Sequence, residues 1–261
     1  MKIRAFVLAL FLISAGPSSA EADPALDALV AAYPEFLAGH DERNLIWKDG
    51  TRMAISDGRP NKTFDQLIDD PDIKDQFAIP YPLGTDLKTP APNEDPGRIR
   101  NEAFFLKMYG DCRKGEVSKR LKPVPWLASR HGGTVMVTTV NQVNERLEQV
   151  SKALEALPPS MTRFLVPSAG TYNCRTILNT KRLSVHAFGA AIDVNDKFAD
   201  YWEWAKGKDG KIVWKNRIPS AIGEIFERYG FIWGAKWYHF DSMHFEYRPE
   251  IIALARAGWQ R

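Results

Sequence analysis

Ser184-Val-His186-Ala-Phe-Gly189-Ala-Ala-Ile-Asp193-Val-Asn195 holds a histidine and a carboxylate seven positions apart, with small residues between them. In a uniform strand, residues seven apart point to opposite faces. His186 and Asp193 therefore meet only if the chain turns between them, and Gly189 is the place where it can. Ala190 and Ala191 keep that neighbourhood thin. Taken alone, the stretch fits a polar loop entering a strand equally well.

A second cluster follows in Trp237-Tyr238-His239-Phe240-Asp241-Ser242-Met243-His244-Phe245-Glu246. His186, Asp193 and His244 form a set that zinc accepts: two imidazoles and one carboxylate, with a fourth position left for water. Asp241, three residues before His244, can handle that water's protons. Reaching one metal from both positions demands a bend before the strand His244–Tyr247. The plainer reading of this stretch is an aromatic core edge.

Taken together, Ser-x-His-x-x-Gly-x-Ala-x-Asp and the later Trp-Tyr-His-x-Asp-x-Met-His-Phe-Glu resemble the M15 zinc peptidases. These are D-alanyl-D-alanine carboxypeptidase and peptidoglycan L,D-endopeptidase relatives that share a fold with the hedgehog signalling domain. The resemblance runs from about Thr171 to Pro249. It implies one zinc per chain on His186, Asp193 and His244, with Asp241 as catalytic acid/base. Many relatives carry glutamate at that place, and the aspartate is similar to the endopeptidase-like branch. Arg175 resembles an arginine that holds a substrate carboxylate or polarises the scissile carbonyl. Ser184, Tyr238 and His239 fit substrate-binding or pocket-wall places, His239 as a transition-state donor, and Glu246 fits a place behind the ligands or in the pocket wall. The implied substrates are the peptide stems of peptidoglycan. The alternative is a catalytically silent zinc-binding relative acting as a cell-wall binding or regulatory module.

The rest of the chain is consistent with export. Lys2 and Arg4, the apolar run Ala5–Ser14 and Ser18-Ser-Ala20 read as a signal peptide over residues 1–20. That places the protein in the periplasm or outside the cell, with no stable membrane insertion once the signal is removed. Of 35 Lys+Arg, removal of Lys2 and Arg4 leaves 33 against 32 Asp+Glu, a charge of +1. So weak a charge does not argue for nucleic acid. Cys112 and Cys174 are the two cysteines, and an oxidising compartment favours their pairing as a disulfide.

Periodicity predicts helices over Pro24–Leu37, Thr63–Ile68, Arg100–Tyr109, Asn141–Leu157, Ile218–Tyr229 and Pro249–Ala257. Strands are expected at Leu45–Trp47, Arg52–Ile55, Val135–Thr139, Arg163–Val166, Phe231–Trp233 and His244–Tyr247. Helices and strands are interspersed without regular alternation. The expected class is therefore α+β: a small antiparallel sheet flanked by helices, hedgehog/DD-peptidase-like, with an N-terminal helical extension. The extension spans 21–96 and ends in a proline-rich strap from Ile79. The peptidase domain spans 97–261.

Overall fold

His244-Phe-Glu-Tyr247 forms β8, a strand with all four residues buried, at the centre of a three-stranded antiparallel sheet. Its neighbours are β6 (Ala191–Asp193) and β7 (Phe231–Trp233), in the order β6-β8-β7. The register sets Asp193 against His244, and Trp233 against Phe245. Side chains alternate along a strand. His244 and Glu246 therefore share the polar face, while Phe245 and Tyr247 share the other. That second face is the aromatic core: Phe245 stacks 3.7 Å from Phe226 and 5.6 Å from Trp233. Phe226 comes from α6 (Ser220–Arg228). The computed structural model describes residues 23–178 and 180–259; the signal reading over 1–20 lies outside them.

The remaining elements build outward from this sheet. In the extension, α1 (Pro24–Ala32) is capped by Asp23. It is followed by a three-stranded sheet of β1 (Leu37–His40), β2 (Asn44–Trp47) and β3 (Arg52–Ala54). The helix expected to reach Leu37 thus stops at Ala32, and Leu37 pairs with Trp47 instead. The extension is therefore not helical throughout. Next, α2 (Phe64–Asp69) starts on a capping box between Thr63 and Gln66. α3 (Glu102–Tyr109) follows, then β4 (Leu121–Pro125) and β5 (Thr134–Thr138), paired with each other. Two prolines hid β4 from the sequence reading; a two-stranded sheet tolerates them because both of its strands are edges. α4 (Val143–Glu155) buries the stripe Val143, Leu147, Val150 and Leu154. Short α5 (Trp202–Ala205) and the final α7 (Pro249–Arg256) complete the set.

The strand expected at Arg163–Val166 does not form. Residues 159–164 make a 3₁₀ turn. The Asn195 amide donates to the carbonyls of Arg163 (2.7 Å) and Val166 (2.8 Å), taking the place of a strand partner. Among the described residues no helix is long and apolar enough to cross a membrane. Cys112 and Cys174 are joined as a disulfide with Cα atoms 5.7 Å apart.

The proline-rich stretch is laid against the sheet as a strap. Tyr81 donates to Glu227 (2.7 Å), and Lys236 donates to the Pro82 and Gly84 carbonyls. The Trp237 indole donates to the Pro96 carbonyl (2.8 Å), and the Tyr238 amide to that of Glu94 (2.9 Å). Buried apolar residues from Ala25 to Leu254 form one continuous core.

Candidate active site

The turn that the His186–Asp193 spacing demands is present. Ser184 caps a 3₁₀ turn over Val185–Phe188, its Oγ accepting from the His186 amide (3.3 Å). Gly189 then adopts φ +67°, and its N–H closes the turn on the His186 carbonyl (3.0 Å). A Cβ at Gly189 would lie 2.8 Å from the Leu121 Cδ2 methyl and 3.1 Å from the Thr138 nitrogen, so a side chain there is crowded as well as conformationally strained. From there β6 carries Asp193 back beside His186.

On the other side, a turn brings Asp241 and His244 to one face, the His244 amide donating to the Asp241 carbonyl (3.1 Å). Ser242 between them pins the turn: its Oγ accepts from Asp200 N and its carbonyl from the Trp233 indole.

The three donor atoms form a near-equilateral triangle. His186 Nε2 lies 3.1 Å from Asp193 Oδ1 and 3.2 Å from His244 Nδ1, and Asp193 Oδ1 lies 3.0 Å from His244 Nδ1. A tetrahedral zinc with bonds of about 2.0–2.1 Å spaces its donors by about 3.3 Å. The ring atoms pointing away are also committed. His186 Nδ1 donates to the Thr171 carbonyl, and His244 Nε2 donates to Glu246 (3.1 Å). Each ring is thereby held in the tautomer that leaves its other nitrogen free to ligate. Glu246 is fully buried and held by Arg100 (2.9 Å) and Arg248 (3.4 Å).

Electrostatics follow from this packing. Burial disfavours the charge on His244, but the hydrogen bonds to Asp193 and Glu246 prevail and lift its pKa to about 10. Burial likewise opposes ionisation of Asp193, yet the two histidines hold it well below the usual carboxylate range. At Glu246 the same burial is outweighed by the Arg100 charge and the His244 hydrogen bond, leaving it at about 2. Asp241 moves the other way: burial and the nearby Asp193 charge push it up to about 6. Its Oδ1 is buried with no hydrogen-bond partner among the described residues. A buried oxygen without a partner, beside three convergent donors, suits a metal-assisted base.

These four residues line a cavity of about 280 Å³ together with Arg98, Arg175, Ser184, Trp202, Trp204 and His239. A second cavity, about 340 Å³, shares Arg100 but holds none of the ligand residues. Arg175 is exposed at the rim, next to the disulfide at Cys174, and among the described residues its guanidinium reaches only the Thr176 carbonyl. Tyr238 is not in the lining; its ring packs edge-on against His239 (4.9 Å). His239 lines the cavity with its Nδ1 committed to Asp95 (2.7 Å) rather than to the ligand triangle.

Sequence reasoning missed Asp95, Arg98 and Arg100. They follow the proline-rich run in Asp95-Pro-Gly-Arg98-Ile-Arg100, and only an acid and two arginines closing an otherwise irregular stretch marked them. No curated protein and no solved structure matches the chain. A family model described as D-alanyl-D-alanine carboxypeptidase matches residues 178–247. Over that segment, which holds His186, Asp193, Asp241 and His244, the chain is similar to the M15 peptidases, and the match supports a peptidase.

Proposed function

We propose that the chain is an exported zinc peptidase that hydrolyses amide bonds in the peptide stems of peptidoglycan. The observation that carries this reading is the donor triangle of His186, Asp193 and His244 with the unpartnered carboxylate of Asp241 beside it. The family match supports the substrate class. Residues 1–20 and the Cys112–Cys174 disulfide support export.

His186, Asp193 and His244 would hold the zinc. Bound there, zinc supplies Lewis acidity, acidifying a water and polarising an amide carbonyl. The chain's own groups do the rest. Thr171 and Glu246 orient the two imidazoles. Asp241 accepts the proton of the attacking water and passes it to the leaving amine. Its raised pKa suits a group that must both take and release a proton near neutrality. Arg175, exposed at the rim, is free to meet a substrate carboxylate. Trp202 and Trp204 form an aromatic wall of the cleft.

The test is direct: purified muropeptides are incubated with the zinc-loaded protein, and the products are identified by mass. Loss of an amino acid or cleavage within the stem supports the peptidase. A zinc-loaded protein that leaves every muropeptide intact supports the silent binding module instead.

A further inference from the structure

Three arginines line the cavity that holds Asp241 and the ligand triangle: Arg98, Arg100 and Arg175. Two carboxylates share that lining, Asp241 and Asp193, and Asp193 faces the two imidazoles. Cations therefore outnumber acids on the walls that a substrate meets. Arg100 is committed to buried Glu246 (2.9 Å), and its side chain keeps 10% exposure. Arg175 stands at the rim. Arg98 is left, and it comes from the end of the proline-rich strap, outside the residues 178–247 that match the family model.

Arg98 Nη1 donates to Asp95 Oδ2 (2.5 Å). Asp95 has no exposed surface and also accepts from the His239 ring (2.7 Å) and amide (2.9 Å). A guanidinium offers five donors in a fixed fork, and neutralising Asp95 uses one. Among the described residues the Arg98 side chain meets no second acceptor, and it keeps 17% exposure in the cavity lining. Its head group is held all the same. Nη1 is tied to the buried acid, and Cζ lies 5.9 Å from the centre of the Trp237 ring. A fork fixed in advance loses little further freedom when it meets an anion. The same Trp237 ring lies 5.7 Å from that of His244. The two spacings keep the guanidinium within about 12 Å of the His244 ring, a span that extended chain covers in about three to four residues.

We propose that Arg98 is a specificity-determining residue that binds a pendant carboxylate of the substrate, carried within about three to four residues of the scissile bond. This rests on the peptidase reading and deepens it. The planar fork matches a carboxylate, and the pair is a charge-assisted one. Peptidoglycan stems offer such groups. A glutamate linked through its γ-carboxyl keeps its α-carboxylate, and a diamino diacid keeps a second carboxylate. Amidation of either group removes the charge at almost constant size. It also replaces one acceptor oxygen with an NH₂ donor, which a guanidinium cannot accept from. The contact lies away from the reacting atoms and is made equally before and during reaction. It therefore acts on KM rather than on kcat.

The experiment uses synthetic stem peptides in pairs that differ only by amidation of one pendant carboxylate, at the glutamate in one pair and at the diamino diacid in the other. Zinc-loaded wild type should show a KM about 10 to 100-fold lower for the free acid in one of the pairs, the worth of one charge-assisted contact. The pair that responds identifies the carboxylate. In Arg98→Met that ratio should collapse toward one, and Arg98→Lys, which keeps the charge but not the fork, should retain part of it. A disturbance passed through Asp95 to His239 would slow both members of a pair alike, so the ratio separates substrate contact from damage to the site. Calorimetric binding of the same peptides to zinc-loaded Asp241→Asn should give the wild-type ratio without turnover. The wild-type ratio and Arg98→Lys decide the matter even where Arg98→Met folds poorly. Equal KM values for acid and amide in both pairs, or an Arg98→Met enzyme that keeps the wild-type ratio, overturn the proposal while leaving the peptidase reading standing. A wild type that cleaves no muropeptide overturns that reading, and the proposal with it.

Discussion

His244 bears a hydrogen-bonded acid at each ring nitrogen, Asp193 at Nδ1 and Glu246 at Nε2. In the metal-free protein this environment lifts its pKa from 6.5 to about 10. A raised histidine contributes stability below its unfolded pKa and loses that contribution as pH rises through the folded value. Zinc needs the deprotonated ring, so loading between about pH 6.5 and 10 must displace that proton. Titration calorimetry at pH 8 in buffers of different ionisation enthalpy should report about one proton released per zinc. Apparent affinity should rise roughly tenfold per pH unit across the window. Heats that do not depend on the buffer would contradict this placement. Asp241 makes a different prediction. Asp241→Asn keeps size and removes the proton acceptor, so turnover should fall by about 10² to 10⁴-fold while zinc stays at one per chain. Should the variant lose its zinc, Asp241 is a ligand and not the base.

At the scale of elements, the site was legible wherever one short segment carried it. Ser184–Asn195 and Trp237–Glu246 each hold their chemistry within about a dozen residues, and the turn at Gly189 follows from the spacing. What stayed hidden was contributed across the sheet. Arg100 reaches Glu246 over 146 residues of sequence, and Asp95 reaches His239 over 144. No local pattern encodes such a meeting. The strand expected at Arg163–Val166 failed for a related reason: Asn195, distant in sequence, satisfies its carbonyls. Two tests belong here. Gly189→Ala sets a side chain at φ +67° and against Leu121, and should cost about 1–3 kcal/mol, read as a lower denaturant midpoint. Arg100→Met removes the charge that holds Glu246 against His244. Disturbing the partner of a metal-ligating histidine typically weakens metal binding about 10 to 100-fold. Competition with a chromogenic chelator measures this without turnover, and unchanged zinc affinity would detach Arg100 from the metal site.

Across the whole molecule, the extension and the matched segment share one core and one polar network. Tyr33 donates to Glu250, Glu250 accepts from Arg248, and Arg248 meets both Glu246 and the Gly97 carbonyl. The path from α1 to the candidate ligand His244 is therefore continuous and buried. The disulfide adds a covalent tie between two segments that lie between those parts in the sequence. It joins Cys112, just after α3, to Cys174, beside Arg175 at the rim of the cleft, and closes a separation of 62 residues. Constraint of the unfolded chain by a loop of that length is worth about 4 kcal/mol in the entropy model. In a chain of this size each kcal/mol moves the melting point by about 2–4 °C. The Cys112→Ser/Cys174→Ser double variant should therefore melt on the order of 10 °C lower than the oxidised protein. Zinc content in the folded state should be unchanged, because His186, Asp193 and His244 are held by the sheet and the Gly189 turn rather than by the crosslink. The loss should also appear in wild type on adding reductant, and be absent when reductant is added to the double variant. Equal melting points for oxidised and reduced wild type would mean that the core alone sets the stability. Loss of zinc from the folded double variant would mean that the crosslink, through the Thr171–Arg175 segment, also positions His186.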